Sequence, residues 1–539
     1  MLSLIAITNN KGILILKKHI LGDLFTNILT KKNPEQMMET ASKAGLEKTL
    51  TAIDLIILGV GAIIGSGIFA VVGIAAAGHA GTPGAGPALV VSMIIATIAS
   101  IFSAMCYSEF STMIPVAGGA YTYTFVTLGE FCAWIVGWLL TLEYLFGYIG
   151  VACSWSKYVM NFLQRFSLYL PNWLCNPPQW LVDNYGSVKH TIESTGGDLS
   201  SIPNVLGIPF CINIPAILIV LITTGMLIKG TKDSTKMAAI MVFVKLSVIA
   251  LFVVFGAFCV RPENWTPFAP NGMSGILMGA FTIFFAYVGF DALATTAEEC
   301  KNPQKDLPIG IIGSLIITTL VYISVALVLT GIYNTSGSVD AGFLNAPLAF
   351  VMNLHNIKIV PELISIGAIA GLTSVLMVLH LATTRVLYAM SRDKFLPKVF
   401  QQLHPKFKTP HVLTLLVAFL CIIGTMTFNV SDAANLCVYG TFASFIVICV
   451  AVLILRKTDP DRPRPFKVPF SPLFPALGII CCGGLMIFSF QNLKDSSMLF
   501  GIWIVLGIII YALYGYSKNR QAEKNSIEVK EDVQELITK

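Results

Sequence analysis

Apolar stretches of about twenty residues or more recur along this chain, and they restrict its fold more than any other feature. A helix of that length crosses a hydrocarbon layer of roughly 30 Å. Only 12% of the 539 residues are charged, whereas 55% are hydrophobic, and a soluble chain of this length needs far more charge to cover its surface. The sequence therefore predicts an all-α integral membrane protein.

The apolar stretches predict about twelve membrane-spanning helices, numbered here in chain order. They lie near residues 51–78, 87–113, 131–160, 210–230, 237–260, 275–298, 308–333, 361–391, 411–429, 433–455, 474–491 and 497–516. Several are longer than a bilayer requires, which permits the helices to tilt.

Basic residues are concentrated in alternate loops, which is typical of membrane orientation. The loops after helices 4, 8 and 10 carry Lys and Arg at residues 229–236, 392–408 and 456–467. The opposite loops, near 161–209 and 334–360, are rich in Asn, Ser and Gly. Because cytoplasmic loops carry the basic excess, both termini are predicted to face the cytoplasm, with the chain in a bacterial inner membrane. The net charge of +6 therefore reflects orientation and does not indicate a nucleic-acid partner.

The two ends of the chain differ from its apolar middle. Residues 1–47 contain only short apolar runs interrupted by basic residues, which predicts a cytoplasmic extension on the membrane surface. A start codon assigned too far upstream explains them equally well. Residues 517–539 are charged and predict a cytoplasmic tail, and residues 48–516 are predicted to form one transmembrane domain.

Candidate helices 1 and 6 each contain an interruption at membrane depth. Helix 1 reads GVGAIIGSG over residues 59–67, and helix 6 reads FAYVGFD over residues 285–291. Glycine weakens a helix, and an opened turn leaves N–H and C=O groups that only protein or a polar cavity can satisfy. Since these helices are the first of each set of five, the pattern predicts an inverted repeat of residues 48–260 and 272–456, followed by extra helices at 474–516.

A pair of broken helices has the chemistry to bind a zwitterion. The half-helix after each break begins with free N–H groups, which suit a carboxylate, and the carbonyls before the break suit an ammonium. An amino acid carries both charges, so the two breaks together predict an amino acid site. The alternative for helix 1 is a packing face, in which Gly61 and Gly65 only allow a neighbouring helix to approach.

Longer motifs around these breaks resemble a known family. They read GAIIGSGIF at residues 61–69, PVAGGAY at 115–121, and FFAYVGFD at 284–291 followed by EECKNP at 298–303. The chain resembles the amino acid–polyamine–organocation transporters, and the last motifs are similar to the cationic amino acid transporter branch. The resemblance covers residues 45–516. It implies the leucine-transporter type of fold, a five-plus-five inverted repeat and a substrate site at the membrane midplane.

The resemblance implies a substrate site built largely from backbone groups. The groups expected to meet the carboxylate are those of Gly65, Ser66 and Gly67. The carbonyls expected to meet the amino group are those of Ile63, Phe285, Ala286 and Val288. Phe285 would also form an aromatic gate over the substrate. Backbone contacts suit any amino acid, so Leu379 on helix 8 is predicted to select a neutral side chain of modest size over arginine.

Lys245 and Glu143 lie within apolar stretches, where an ionisable group is costly and needs a reason. For Lys245 in helix 5, the resemblance implies an ammonium near helices 1 and 8, where sodium-coupled relatives hold an ion. We expect Lys245 to carry or sense a coupling proton, and a static tether is the alternative. Glu143 in helix 3 matches a cavity-lining residue of the cationic branch. It is either a substrate contact or proton site, or a protonated carboxyl bonded to a neighbouring helix.

Together these features predict a secondary transporter that carries L-amino acids by alternating access with proton coupling. An amino acid exchanger and a non-transporting nutrient sensor on the same fold are the alternatives. A channel is disfavoured by the broken helices, and a membrane enzyme by the absence of clustered catalytic residues. No metal-ligand spacing or phosphate loop occurs in the sequence, so no metal or cofactor is expected. The expected partners are an amino acid, a proton and the lipid bilayer, and a small single-helix membrane protein is compatible with the sequence.

Overall fold

A computed structural model of the chain shows a mostly helical protein. It describes residues 31–33, 35, 48, 50–79, 81–116, 118–194, 202–205, 208–230, 232–337, 339–355 and 359–515. The predicted C-terminal tail lies outside these residues, as does nearly all of the predicted N-terminal extension. The bounds predicted for the domain and its two halves stay predictions.

Within the described residues, each of the predicted apolar stretches contains a helix. The bounds are helix 1, Ala52–Ile63 with Gly67–Val71 and Val72–Ala77; helix 2, Leu89–Met113; helix 3, Glu130–Arg165; helix 4, Ile214–Lys229; helix 5, Lys232–Ala257; helix 6, Gly272–Phe284 with Phe285–Tyr287 and Asp291–Glu299; helix 7, Pro303–Ile332; helix 8, Val360–Arg392; helix 9, His411–Thr427; helix 10, Val430–Thr458; helix 11, Leu473–Asn492; and helix 12, Lys494–Ile510 with Tyr511–Gly515.

The connections contain shorter elements. The short helices are Gly86–Ala88, Gly119–Thr127, Asn172–Cys175, Gln179–Leu181, Tyr185–Ser194, Pro262–Trp265, Ala341–Asn345, Pro347–Leu354 and Lys398–Gln401. Two antiparallel strand pairs join Gly78–His79 to Thr82–Pro83 and Asn204–Val205 to Ile208–Pro209.

The membrane character of the protein follows from its helices. Among the described residues, nine helices are long and apolar enough to cross a bilayer, and the two parts of helix 1 together form a tenth candidate, bent by 45°. Helices 4 and 9 are apolar but have only 16 and 17 residues, near the lower limit for a span. The exact number of twelve spans and the inverted repeat therefore stay predictions.

Both predicted helix breaks are present. The first part of helix 1 ends at Ile63, and Ile64 is extended, with ψ at 99°. Helix 6 tightens into a 3₁₀ turn after Phe284, and Val288 is then extended, with ψ at 136°. Gly289 has φ at +117°, a left-handed conformation that a side chain would strain. The sequence motifs thus placed both interruptions correctly.

The packing brings the two breaks together inside the protein. The turn that restarts helix 1 at Gly67–Val71 contacts the 3₁₀ turn Phe285–Tyr287 of helix 6. Helix 3 packs along helices 8 and 10, and helix 7 packs along helices 1 and 2. These helices surround the breaks with buried side chains, so the opened backbone lies within protein and not in lipid, as a break at membrane depth requires.

Candidate functional site

The two helix breaks border one small cavity. Its lining comes from helices 1, 3, 6 and 8 and consists of Ala62, Ile63, Gly65, Ser66, Gly67, Gly147, Val151, Phe285, Val288, Val375 and Leu379. Of the eight residues predicted to bind substrate, seven line this cavity, and Ala286 is the exception. The packing therefore gathers into one place residues that the sequence distributes over helices 1, 6 and 8.

Ser66 stands where helix 1 resumes after its break. Its side chain is 1% exposed, and its hydroxyl has no hydrogen-bond partner although it is buried. A buried hydroxyl without a partner costs free energy, so a ligand that accepts a hydrogen bond from it would relieve that cost. The first N–H groups of the resumed helix lie beside it. As at the start of any helix, these groups have no intrahelical partners. This end of the cavity suits an anionic group.

Gly67 makes the close approach of the two breaks possible. A Cβ atom at this position would overlap the backbone and side chain of Ala286. By contrast, a Cβ at Gly65 would meet the Val375 side chain at 3.0 Å, which is tight but not a collision with backbone. Gly67 therefore lets helices 1 and 6 touch directly. Gly67 thus has a packing role, and substrate binding by Gly65, Ser66 and Gly67 stays a prediction.

The Phe285 side chain extends from helix 6 toward helix 3 at one side of the cavity. Its side chain is 6% exposed. A Cβ at Gly150 would lie 3.6 Å from its Cζ atom, so the ring reaches the helix 3 backbone. The ring is thus placed to cover a bound molecule, and its action as a gate stays a prediction.

Tyr322 of helix 7 bridges the two breaks, a feature that sequence reasoning missed. Its hydroxyl lies 3.0 Å from the Ile63 carbonyl oxygen and 2.9 Å from the Ala286 carbonyl oxygen. Two of the four carbonyls predicted to hold an amino group therefore already face a hydroxyl donor. Because a carbonyl oxygen has two lone pairs, each can still accept one further hydrogen bond. The sequence did contain one signal of this contact, a tyrosine within an apolar helix. Its ring is fully buried, and a buried tyrosine hydroxyl needs a hydrogen-bond partner.

Lys245 is fully buried and reaches the carbonyls that precede the break in helix 1. Its Nζ donates to the Gly61 carbonyl, to the Ile64 carbonyl at 2.7 Å and to the Ser374 hydroxyl at 3.4 Å. These contacts join helix 5 to helices 1 and 8, where the resemblance implied an ammonium. Among the described residues, no carboxylate lies within ion-pair distance of it. Its proton-coupling role stays a prediction.

Glu143 is fully buried but does not line the cavity. Its Oε2 accepts a hydrogen bond from the Ser444 hydroxyl of helix 10 at 3.4 Å, and its Oε1 has no partner. It lies one helical turn from Gly147, which does line the cavity. Next to it in sequence, the Tyr144 hydroxyl donates to the Asp291 carboxylate of helix 6. Glu143 thus contacts helix 10, and both a role in transport and a protonated carboxyl bonded to that helix stay predictions.

Comparison with known proteins identifies the group to which the chain belongs. A family profile described as "Amino acid permease" matches residues 50–514. The chain is a member of the amino acid permease family. This membership confirms the resemblance to the amino acid–polyamine–organocation transporters.

Three relatives of this permease carry transporter or permease names and match it over 81–97% of their own length. It is 39% identical to the methylthioribose transporter of Bacillus subtilis (strain 168), covering 90% of this chain and 97% of that protein. It is 37% identical to the branched-chain amino acid permease BcaP of the same strain, with the same coverage. It is 33% identical to cationic amino acid transporter 9, chloroplastic, of Arabidopsis thaliana, covering 90% of this chain and 81% of that protein. The permease is therefore a multi-pass membrane protein from a family of transporters, not of enzymes.

Helices 3 and 8 form apolar walls of the permease's cavity. The sequence analysis had indicated only the wall on helix 8. Gly147 and Val151 lie one turn apart on helix 3, and Val375 and Leu379 lie one turn apart on helix 8. Residues four apart share a helix face. Once Leu379 was chosen, the sequence could therefore have predicted Val375 as a second residue of this wall. Of the residues that the structure describes, no charged side chain lines the cavity. Within the described residues, no group of three or more His, Cys, Asp or Glu side chains is arranged to hold a metal.

Proposed function

We propose that this permease carries neutral, apolar L-amino acids across a bacterial inner membrane by alternating access, with protons as the coupling ion. The observation that supports the proposal best is the cavity between the two helix breaks, which combines backbone polar groups with apolar side chains. The twelve spans, the inverted repeat of 48–260 and 272–456 and the cytoplasmic position of both termini belong to the same proposal.

The two ends of the cavity match the two charges of an amino acid. The buried Ser66 hydroxyl and the N–H groups that follow it would bind the carboxylate. The Val288 carbonyl, together with the remaining lone pairs at Ile63, Phe285 and Ala286, would bind the ammonium. No protein side chain need carry a charge in this arrangement. The transported side chain would extend toward helices 3 and 8.

Removal of the Ser66 hydroxyl by substitution gives a first prediction. Ser66→Ala should raise the KM for a transported amino acid by about tenfold, because a hydrogen bond to a charged group contributes roughly 1.5–3 kcal/mol. Initial uptake rates in proteoliposomes over a range of concentrations would measure this. Ser247→Ala is the matched control, since that exposed serine bonds only to its own helix at the Phe243 carbonyl. An unchanged KM in Ser66→Ala would contradict a carboxylate contact.

The apolar wall argues for the class of side chain. Val151, Val375 and Leu379 offer no partner to a guanidinium or ammonium, and burying an unpaired charge there would be costly. The name of the relative BcaP points to branched-chain amino acids, which such a wall fits. The name of the first relative points instead to methylthioribose, an uncharged molecule that makes a second candidate substrate.

Leu379 should control the choice between neutral and cationic amino acids. We expect Leu379→Ser to increase the rate of arginine uptake relative to alanine by roughly tenfold, because it shortens the wall and adds a polar group. Competition between the two radiolabelled amino acids in proteoliposomes measures the ratio. Val378→Ser, next to it on helix 8 but outside the cavity lining, is the control. Equal uptake of arginine and alanine by the unaltered protein, unaffected by Leu379→Ser, would refute this selectivity.

The decisive experiment is uptake by the purified protein in liposomes. Twenty amino acids and methylthioribose would be screened with and without an inward proton gradient. Gradient-stimulated uptake of neutral amino acids supports the proposal. Uptake that requires an internal amino acid and ignores the gradient would identify an exchanger instead. Binding without any transport would favour a sensor.

A further inference from the structure

Helix 3 borders the cavity at a position that has no side chain. Of the three glycines in this helix, which the structure describes in full, only Gly147 lines the cavity. A Cβ at Gly147 would lie 3.3 Å from Leu379 Cδ1, 3.6 Å from Leu379 Cδ2 and 3.5 Å from Cys437 Sγ. The cavity therefore has a recess at Gly147, bounded by Leu379 of helix 8 and Cys437 of helix 10.

The packing of helix 3 does not require a glycine at this position. The atoms that a Cβ at Gly147 would meet all belong to side chains, and the closest is the far end of a leucine. At Gly67, by contrast, an added Cβ would overlap the backbone of Ala286. Alanine also has a higher helix propensity than glycine. Since the fold would accept alanine at position 147, the main effect of the glycine is the space that it leaves open to the cavity.

The surfaces of the recess are apolar. Leu379 presents its two methyl carbons, and Cys437 presents a buried thiol, which behaves as a small hydrophobic group. Val151 on helix 3 and Val375 on helix 8 each lie one turn away and extend the same apolar surface along the cavity. A recess of this kind suits the uncharged end of an aliphatic side chain, since a charged group would have no partner there.

The recess lies across the cavity from the groups proposed to hold the charged part of an amino acid. Those groups belong to the breaks in helices 1 and 6, whereas the recess is formed by helices 3, 8 and 10. In this binding mode the single methyl group of alanine ends close to the two breaks. The side chain of leucine extends two bonds further, toward the recess. The recess therefore affects leucine more than alanine.

We propose that Gly147 sets the size limit for the transported side chain, because it keeps the recess between Leu379 and Cys437 open to side chains as large as that of leucine. This inference rests on the proposed function, since it takes an amino acid to be the occupant of the cavity. It assigns selection by size to helix 3, whereas selection against charge was assigned to Leu379 on helix 8.

Gly147→Ala tests the size limit, since its one added methyl group would occupy the recess. The kcat/KM for leucine should fall about tenfold relative to that for alanine, as expected for one carbon in an apolar pocket, and alanine uptake should persist. Initial uptake rates of the two radiolabelled amino acids in proteoliposomes give this ratio. Gly225→Ala on helix 4, where an added Cβ meets no atom within 4 Å, is the matched control. In the double variant Gly147→Ala with Leu379→Ala, leucine uptake should recover, because the leucine carbons that the new methyl group would contact are gone.

Cys437→Ala provides a second test that leaves helix 3 unchanged. Removal of the sulfur atom enlarges the recess from the side of helix 10, so the uptake of phenylalanine should rise relative to that of leucine. The same proteoliposome assay measures this ratio, and the melting temperature of each purified variant reports on its fold.

The outcomes separate the size limit from the proposed function. A selective loss of leucine uptake in Gly147→Ala that Leu379→Ala reverses supports the size limit. An unchanged ratio of leucine to alanine uptake, or an equal fall in both, would overturn it and leave the proposed function in place. Where Gly147→Ala lowers the melting temperature, an unchanged ratio of phenylalanine to leucine in Cys437→Ala would overturn it instead. The lack of any amino acid uptake by the unaltered protein would refute the proposed function, and this inference with it.

Discussion

Replacement of Lys245 by methionine should abolish uptake driven by a proton gradient, while exchange of labelled for unlabelled amino acid continues. Lys245 is fully buried and donates to the Gly61 and Ile64 carbonyls at the break in helix 1. If the Lys245 side chain releases and regains a proton in each cycle, the methionine variant cannot carry that proton. A proton gradient should then cause no accumulation of amino acid. Exchange requires no net proton movement and should persist at a reduced rate, because each unsatisfied carbonyl costs about 1–3 kcal/mol.

Two further variants separate proton coupling from a static tether. Lys245→Arg keeps a positive charge that does not leave at any physiological pH, so it should also lose gradient-driven uptake. Lys229→Met removes the same charge from the exposed end of helix 4 and should behave like the unaltered protein. Accumulation ratios in proteoliposomes with imposed pH gradients measure all three. Full gradient-driven uptake in Lys245→Met would end the coupling proposal, and full activity in Lys245→Arg would favour the tether.

The features predicted well from sequence are those written into consecutive residues. Apolar stretches gave the helices because their length must match the bilayer. The glycines around Gly65 and the motif around Gly289 gave the breaks because local backbone strain and weak helix propensity act at the residues themselves. Local signals of this kind need no knowledge of how helices pack. The resemblance then located seven cavity-lining residues in helices 1, 6 and 8.

The features that were missed depend on the rotation of one helix against another. Tyr322 reaches two carbonyls on helices 1 and 6, and nothing next to it in the sequence indicates either partner. Gly147 and Val151 line the cavity because of the face that helix 3 turns inward. An amphipathic pattern marks such a face in a soluble protein, but a helix surrounded by lipid and by other helices is apolar on every side. Contacts between distant positions therefore had to come from the structure.

Replacement of Gly67 by alanine should lower transport more than any other single added methyl group in the helix 1 motif. The new Cβ would overlap the backbone of Ala286, where the two breaks touch. Relief requires that one break move away from the other, and overpacking of this kind costs about 1–3 kcal/mol. Since both breaks border the cavity, that movement displaces the groups proposed to bind the carboxylate and the ammonium together. Uptake should therefore fall by roughly tenfold or more.

The matched control for this change is Gly225→Ala in helix 4, where an added Cβ would have no neighbouring atom within 4 Å. Alanine favours a helix over glycine by about 1 kcal/mol, so this variant should keep its uptake, and its melting temperature should not fall. Comparison of initial rates with thermal stability then separates a damaged site from a damaged fold. Loss of uptake in Gly67→Ala with unchanged stability would place the effect at the contact of the two breaks. Undiminished uptake would show that the breaks need not touch for transport, and would remove the geometric basis for a site shared between them.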